Sequence, residues 1–157
     1  MRIHLIAPGN KMPDWVEAGV SEYSRRLTGD IRLHIDDLPL PKRKGGSVQS
    51  WKAEEAELIR KRLTKLPGAH LVALEVKGKK ISTEDLAVEL GKLRDLGQDL
   101  ALLVGGPDGL DETLSASCHA QWSLSNLTLP HPLVRVLLSE QVYRAWSILT
   151  GHPYHRA

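Results

Sequence analysis

Leu100-Ala-Leu-Leu-Val104, followed directly by Gly105-Gly-Pro-Asp-Gly109, is the stretch whose reading decides the fold. Five consecutive apolar residues leave no wet face. That is the pattern of a central strand covered by helices on both sides, not of a strand exposed on one. The glycines behind it let a ligand approach the main chain closely. In open α/β sheets ligands settle outside the carboxyl ends of the strands. The turn is neither G-x-G-x-x-G nor followed by a Lys-Ser/Thr pair, so dinucleotide and triphosphate cradles are poor fits.

The flanking sequence repeats the strand–loop–helix unit. Arg2 to Ile6 alternates and reads as a strand ended by Pro8-Gly9, and Ile31, Leu33 and Ile35 read as a second. Between them Val16, Val20, Tyr23 and Leu27 recur at helical spacing, with Pro13 suited to the first turn and Gly29 closing the run. Pro39 to Gly46 is a loop by its breakers. Trp51 to Leu66 is helical, and Leu71 to Val76 is a short strand. Ser82 to Asp85 caps a helix whose core face is Leu86, Leu90 and Leu93. A short helix over 111–118, a strand over 122–125 and a long amphipathic helix over 133–150 follow, the last stopped by Gly151 and Pro153. The expected fold class is α/β with a largely parallel sheet flanked by helices, in a single domain spanning 1–157.

Composition narrows the function classes. The 157 residues are 41% hydrophobic and 25% charged, ordinary for a globular domain. No apolar run approaches the ~20 residues of a membrane span, and the first apolar stretch is too short for a signal peptide. With a single cysteine, Cys118, a reducing cytoplasmic setting is expected, and that thiol reads as a small buried hydrophobe. The net charge of +2 argues little by itself. From His131 onward, however, Arg135, Arg144 and Arg156 face only Glu140, and a basic end attracts phosphate.

Two further segments could carry chemistry. Ser123-Leu-Ser-Asn-Leu-Thr-Leu-Pro-His-Pro-Leu133 offers main-chain groups, hydroxyls and apolar side chains, with no ionisable residue before His131. Such a loop suits a buried adenine or serves as a plain connector. Gly151-His-Pro-Tyr-His-Arg-Ala157 concentrates a stacking ring, two imidazoles and a guanidinium, or is a frayed end. Pro153 breaks helical presentation of His152 and His155, and no metal site is expected. His4, His34, His70 and His119 read as structural or surface residues. Lys42-Arg-Lys44 and Lys77-Gly-Lys-Lys80 read as solvated loops that could touch phosphate.

Three stretches carry a resemblance to a known family. They are Leu103 to Leu110, Trp122 to Leu137, and Glu140-Gln-Val-Tyr-Arg-Ala-Trp-Ser-Ile148 continuing through His152-Pro-Tyr-His-Arg156. Lys11-Met-Pro-Asp-Trp15 is similar to the same family. The whole chain resembles the ribosomal RNA large-subunit methyltransferase H family, of the SPOUT class. The resemblance implies an α/β fold with a C-terminal trefoil knot and a homodimer. It implies S-adenosylmethionine (SAM) as methyl donor, and methylation at N3 of a pseudouridine in large-subunit ribosomal RNA on the assembled ribosome. Carried over by position, the SAM contacts fall on Leu74, Gly105, Leu124, Ser125, Asn126, Leu127, Thr128 and Leu129. For the chemistry, His155 is the candidate base, Arg144 or Arg156 the charge stabiliser, and Tyr154 the residue that stacks on the target base. The apolar side of 133–149 is a candidate dimer surface or pure core. A knotted transfer-RNA methyltransferase and a non-catalytic ribosome-binding factor are the alternatives.

Overall fold

The computed structural model describes residues 1–9, 11–40 and 42–156; Pro41 of the basic loop and Ala157 of the tail lie outside the described residues. Among the described residues, five strands form one sheet in the order β2-β1-β4-β3-β5. They are β1 (Arg2–Pro8), β2 (Arg32–Leu38), β3 (His70–Lys80), β4 (Leu100–Val104) and β5 (Ala120–Ser123). Every pairing is parallel. The five-residue apolar run is β4, it is buried throughout, and it occupies the middle of the sheet.

Strand alternation sends its side chains to two cores. Leu100, Leu102 and Val104 join Ile3 and Leu5 beneath α3 (Thr83–Asp95) and α5 (His131–Thr150), with α1 (Asp14–Ser24) packed on α5. Ala101 and Leu103 join Ile6 and Ala73 beneath α2 (Val48–Leu63) and α4 (Glu112–Ala116). The helices therefore cover both faces of the sheet, as the apolar run requires.

Local chemistry sets the boundaries. Ser47 and Ser82 each close a capping box on the third residue of the following helix, Ser50 and Asp85. Asp111 caps α4 through the Leu114 amide. Gly151 ends α5 in the left-handed region, φ +69°. Helix α1 stops at Ser24, so Leu27 enters the core from the turn beyond it.

One expectation needs correction, and one choice left open is narrowed. Lys77 to Lys80 is not a solvated loop; it is the outer half of β3. β4 ends beside Leu74, so beyond that point β3 pairs only with β5, through a register shift between Leu74 and Lys79. Away from the covered middle of the sheet, lysines can stay wet while the ladder continues. The main chains come close there: a Cβ on Gly78 would lie 2.6 Å from the Trp122 carbonyl carbon. The apolar side of α5 is mostly core, because Val134, Leu138, Val142, Tyr143 and Trp146 are buried within the chain. Among the described residues, the large hydrophobic side chains that α5 and α1 leave exposed are Leu133 and Trp15.

The remaining histidines hold structure. His4 stacks on His34 and bonds Asp36 through Nδ1 at 2.9 Å. His70 stacks on His119, whose Nδ1 accepts the Leu71 amide. Among the described residues no helix is long and apolar enough to cross a membrane, and no cluster of three His, Cys, Asp or Glu could hold a metal ion.

Candidate functional site

A cavity of about 550 Å³ opens at the carboxyl ends of β4 and β5, against the middle of β3. One wall is Leu74, Glu75 and Val76 of β3. A second is the turn after β4, through Gly105, Gly106, Pro107 and Gly109. The third is the β5–α5 loop, from Ser123 to the first turn of α5 at His131 and Val134. Among the described residues, Glu75 and His131 are the ionisable ones in a wall made mostly of apolar side chains and main chain.

The turn needs its glycines for space. A Cβ on Gly105 would meet the Gly109 carbonyl carbon at 2.2 Å and the Leu110 nitrogen at 2.3 Å. The Gly109 amide donates to the Gly106 carbonyl, and Gly109 sits at φ +86°. The β5–α5 loop is fastened by hydroxyls instead. Ser123 donates to the Ser125 carbonyl, and the Leu127 amide donates to Ser125 Oγ. Among the described residues, none of Leu124 to Leu129 enters a main-chain to main-chain hydrogen bond, which leaves this backbone able to read a ligand's edge.

Seven of the eight residues expected at the methyl donor line this one cavity: Leu74, Gly105, Leu124, Ser125, Leu127, Thr128 and Leu129. Asn126 lies in the same loop outside the wall. The size and the apolar, main-chain lining fit an adenosine-bearing ligand.

The four residues expected to do chemistry stand elsewhere, at the other end of α5. Pro153 to Arg156 form one 3-10 turn that folds back along the helix. Tyr154 donates its hydroxyl to Glu140 Oε1 at 3.0 Å, and Arg144 reaches the same oxygen through Nε at 2.8 Å. The Arg144 guanidinium lies 4.9 Å over the Tyr154 ring, and Tyr143 packs against that ring at 4.6 Å. Desolvation, then the bond to Glu140, pushes the Tyr154 hydroxyl up to about 12. The Glu140 hydrogen bond likewise raises Arg144. His155 is half-buried and its Nδ1 has no hydrogen-bond partner among the described residues, while Arg156 is exposed.

None of these four lines the cavity. Glu140 lies nine residues beyond His131, roughly 14 Å along the helix axis. Sequence reasoning missed Glu140 as the organiser of the tail, having counted it only as a lone negative charge. Its i, i+4 relation to Arg144 was the available signal. It also missed Glu75 and Val76, at the open end of the β3 wall, and a buried glutamate behind the glycine turn.

Comparisons with known proteins identify the family of the chain. A family model described as "Predicted SPOUT methyltransferase" matches residues 1–155. The chain is 57% identical to a protein named "Ribosomal RNA large subunit methyltransferase H" from Alcanivorax borkumensis, over 99% of this chain and all of that one. It is 55% identical to a protein of the same name from Hahella chejuensis, over 99% of each. The fold is similar to that of a probable methylase family protein from Haemophilus influenzae, with TM-score 0.56 at 15% identity, covering 98% of this chain and 69% of the other.

Proposed function

The chain belongs to the SPOUT methyltransferase family, and from that premise we propose that it methylates N3 of a pseudouridine in large-subunit ribosomal RNA. On this reading it acts in the cytoplasm, on the assembled ribosome, as a homodimer of single-domain subunits with SAM as donor and no metal. The C-terminal segment would be threaded as a trefoil knot. The observation that carries the proposal is the cavity where the Gly105–Gly109 turn and the Ser123–His131 loop meet at the carboxyl edge of the sheet.

SAM bound there supplies an electrophilic methyl group on a sulfonium. Leu74, Leu124 and Leu129 enclose the adenosine, and the main chain of 124–129 reads its edge. Gly105 lets the turn approach closely. Glu75, at the rim, offers a negative charge to a cationic ligand. Alignment of nucleophile and methyl group is the principal contribution, as in any proximity-driven transfer.

The pseudouridine N3 carries a proton that must leave. His155 accepts it, while Arg144 and Arg156 stabilise the negative charge that develops on the base. Tyr154, fixed by Glu140 and Arg144, offers the ring edge and remaining face that pack on the target. Because these groups lie away from the cavity of their own chain, the tail would serve the cavity of the partner subunit. That separation is what favours a dimer over a monomer here.

Mass spectrometry of ribosomal RNA from cells with and without the protein tests the activity. One methyl group missing from a large-subunit pseudouridine in the deletion strain is expected. Loss of a transfer-RNA methyl group instead would move the protein to the first alternative. No change in any RNA would favour a non-catalytic ribosome-binding role.

A further inference from the structure

Behind the glycine turn, on the side away from the cavity, α2 buries a carboxylate. Glu55 is 4% exposed, and its Oε2 accepts the Gly106 amide at 3.2 Å. The contact is tight: a Cβ on Gly106 would lie 2.3 Å from that same oxygen. Glu55 Oε1 faces Arg43 Nη2 at 3.7 Å, and Arg43 Nη2 donates to Asp108, inside the turn, at 2.6 Å. The Arg43 guanidinium lies 4.5 Å over Trp51, whose Nε1 donates to the Gly45 carbonyl. One guanidinium therefore joins the basic loop, α2 and the turn.

A buried carboxylate here is not explained by stability. Burial raises its pKa, and the Gly106 amide and Arg43 offset that only in part. Replacing a whole buried ion pair by packed apolar side chains is often neutral or stabilising, so the pair by itself is weak evidence for a stabilising role. The carboxylate does one thing a leucine cannot: it fixes the Gly106 amide and, through Arg43, Asp108. Both ends of a wall-forming turn are then pinned from behind.

We propose that Glu55 is a positioning residue of the methyl-donor site, holding the Gly105–Gly109 turn through the Gly106 amide, with Arg43 as its clamp. The inference rests on the reading of the cavity given above. It also gives the basic loop a role: Arg43 anchors it, and exposed Lys42 and Lys44 remain outside the clamp.

The test is calorimetric titration of the full-length dimer, wild type and three variants, with SAM, alongside urea unfolding. Glu55→Leu keeps the volume and deletes the acceptor; affinity should fall about tenfold, the effect of one charge-assisted hydrogen bond. Glu55→Gln keeps an oxygen for Gly106 and should stay within about threefold of wild type. Arg43→Ala removes only the clamp and should cost about threefold to fivefold. Glu55→Leu also leaves the buried Gly106 amide without its acceptor, so its unfolding midpoint should fall, whereas rescue of both midpoint and affinity by Glu55→Gln ties the effect to the acceptor oxygen. The inference is overturned if Glu55→Leu binds as wild type does, or if Glu55→Gln loses as much as Glu55→Leu. Should Glu55→Leu fail to fold, an unchanged affinity in Arg43→Ala overturns it. Wild type that binds no SAM overturns the cavity reading and this inference together; tight wild-type binding with indifferent variants overturns this inference alone.

Discussion

The two ends of α5 are built from opposite materials. At its N-terminal end, His131 and Val134 complete a cavity lined by apolar side chains and main chain, with two ionisable residues in the wall. At its C-terminal end, Glu140, Arg144 and Tyr154 form a hydrogen-bonded ionic and aromatic cluster that pins the tail. The first suits a ligand recognised by shape and backbone groups. The second suits charge, stacking and proton transfer. The lesson is a division of labour: changes at one end should alter donor binding, and changes at the other should alter methyl transfer.

The largest effect is expected from the tail. Removing Tyr154 to Ala157 deletes the base candidate and the stacking ring together, so methylation should fall about a thousandfold. SAM affinity should stay within about threefold, because none of the wall is lost. Equal loss of both, measured by single-turnover assay and calorimetry, would erase the distinction between the two ends.

Next comes Gly105→Ala. Its new Cβ must displace Gly109 and Leu110 main chain. SAM affinity should drop about a hundredfold and stability by about 2–4 kcal/mol. Trypsin protection of the tail turn should persist in this variant. A Gly105→Ala protein with normal affinity would mean that the turn does not form the donor wall.

Glu140→Gln sharpens the comparison at smaller scale. It removes the charge that holds Arg144 and Tyr154, so methyl transfer should fall about tenfold with donor affinity unchanged. It should also lower the Tyr154 hydroxyl from its value of about 12. A raised value in the fold means that the neutral phenol is the form the fold prefers. The tail's docking through that hydroxyl is therefore complete below the free value of about 10, and is lost as pH climbs through about 12. Ultraviolet titration with Tyr154→Phe as reference reads this directly, and ionisation of Tyr154 near the free value would contradict the docking.

The smallest effect belongs to Cys118, buried in the core under α2 and α4 and outside the cavity wall. Desolvation pushes its thiol to about 11. It should resist thiol reagents at neutral pH until the protein unfolds, and Cys118→Ala should leave methylation within about twofold. Fast labelling of the folded chain would show that this part of the core is open.

Much of this was legible in the sequence, where the signal is local. The run Leu100 to Val104 declares a covered strand because both faces are apolar, and Ser82 declares a helix start through its own reach to Asp85. Gly105 and the loop Leu124 to Leu129 came from resemblance, strengthened by their want of charge. Long-range pairings were not legible. Glu55 meets Gly106 across 51 residues, and nothing near either one announces the other. Lys77 to Lys80 looked like loop because the lysines are wet, although their backbone still pairs with β5. By composition the tail reads as either an active end or a frayed one, and what docks it is a carboxylate fourteen residues earlier, together with Arg144 and Tyr143.

The most direct test of the division of labour is a mixed dimer. One subunit carries Gly105→Ala with an intact tail, and the other lacks Tyr154 to Ala157 with an intact cavity. Each parent homodimer should be inactive. If the tail of one subunit serves the cavity of the other, the purified heterodimer keeps one complete site and should methylate ribosomal RNA at about half the wild-type rate. A heterodimer as inactive as its parents would contradict the account and place cavity and tail chemistry within one chain.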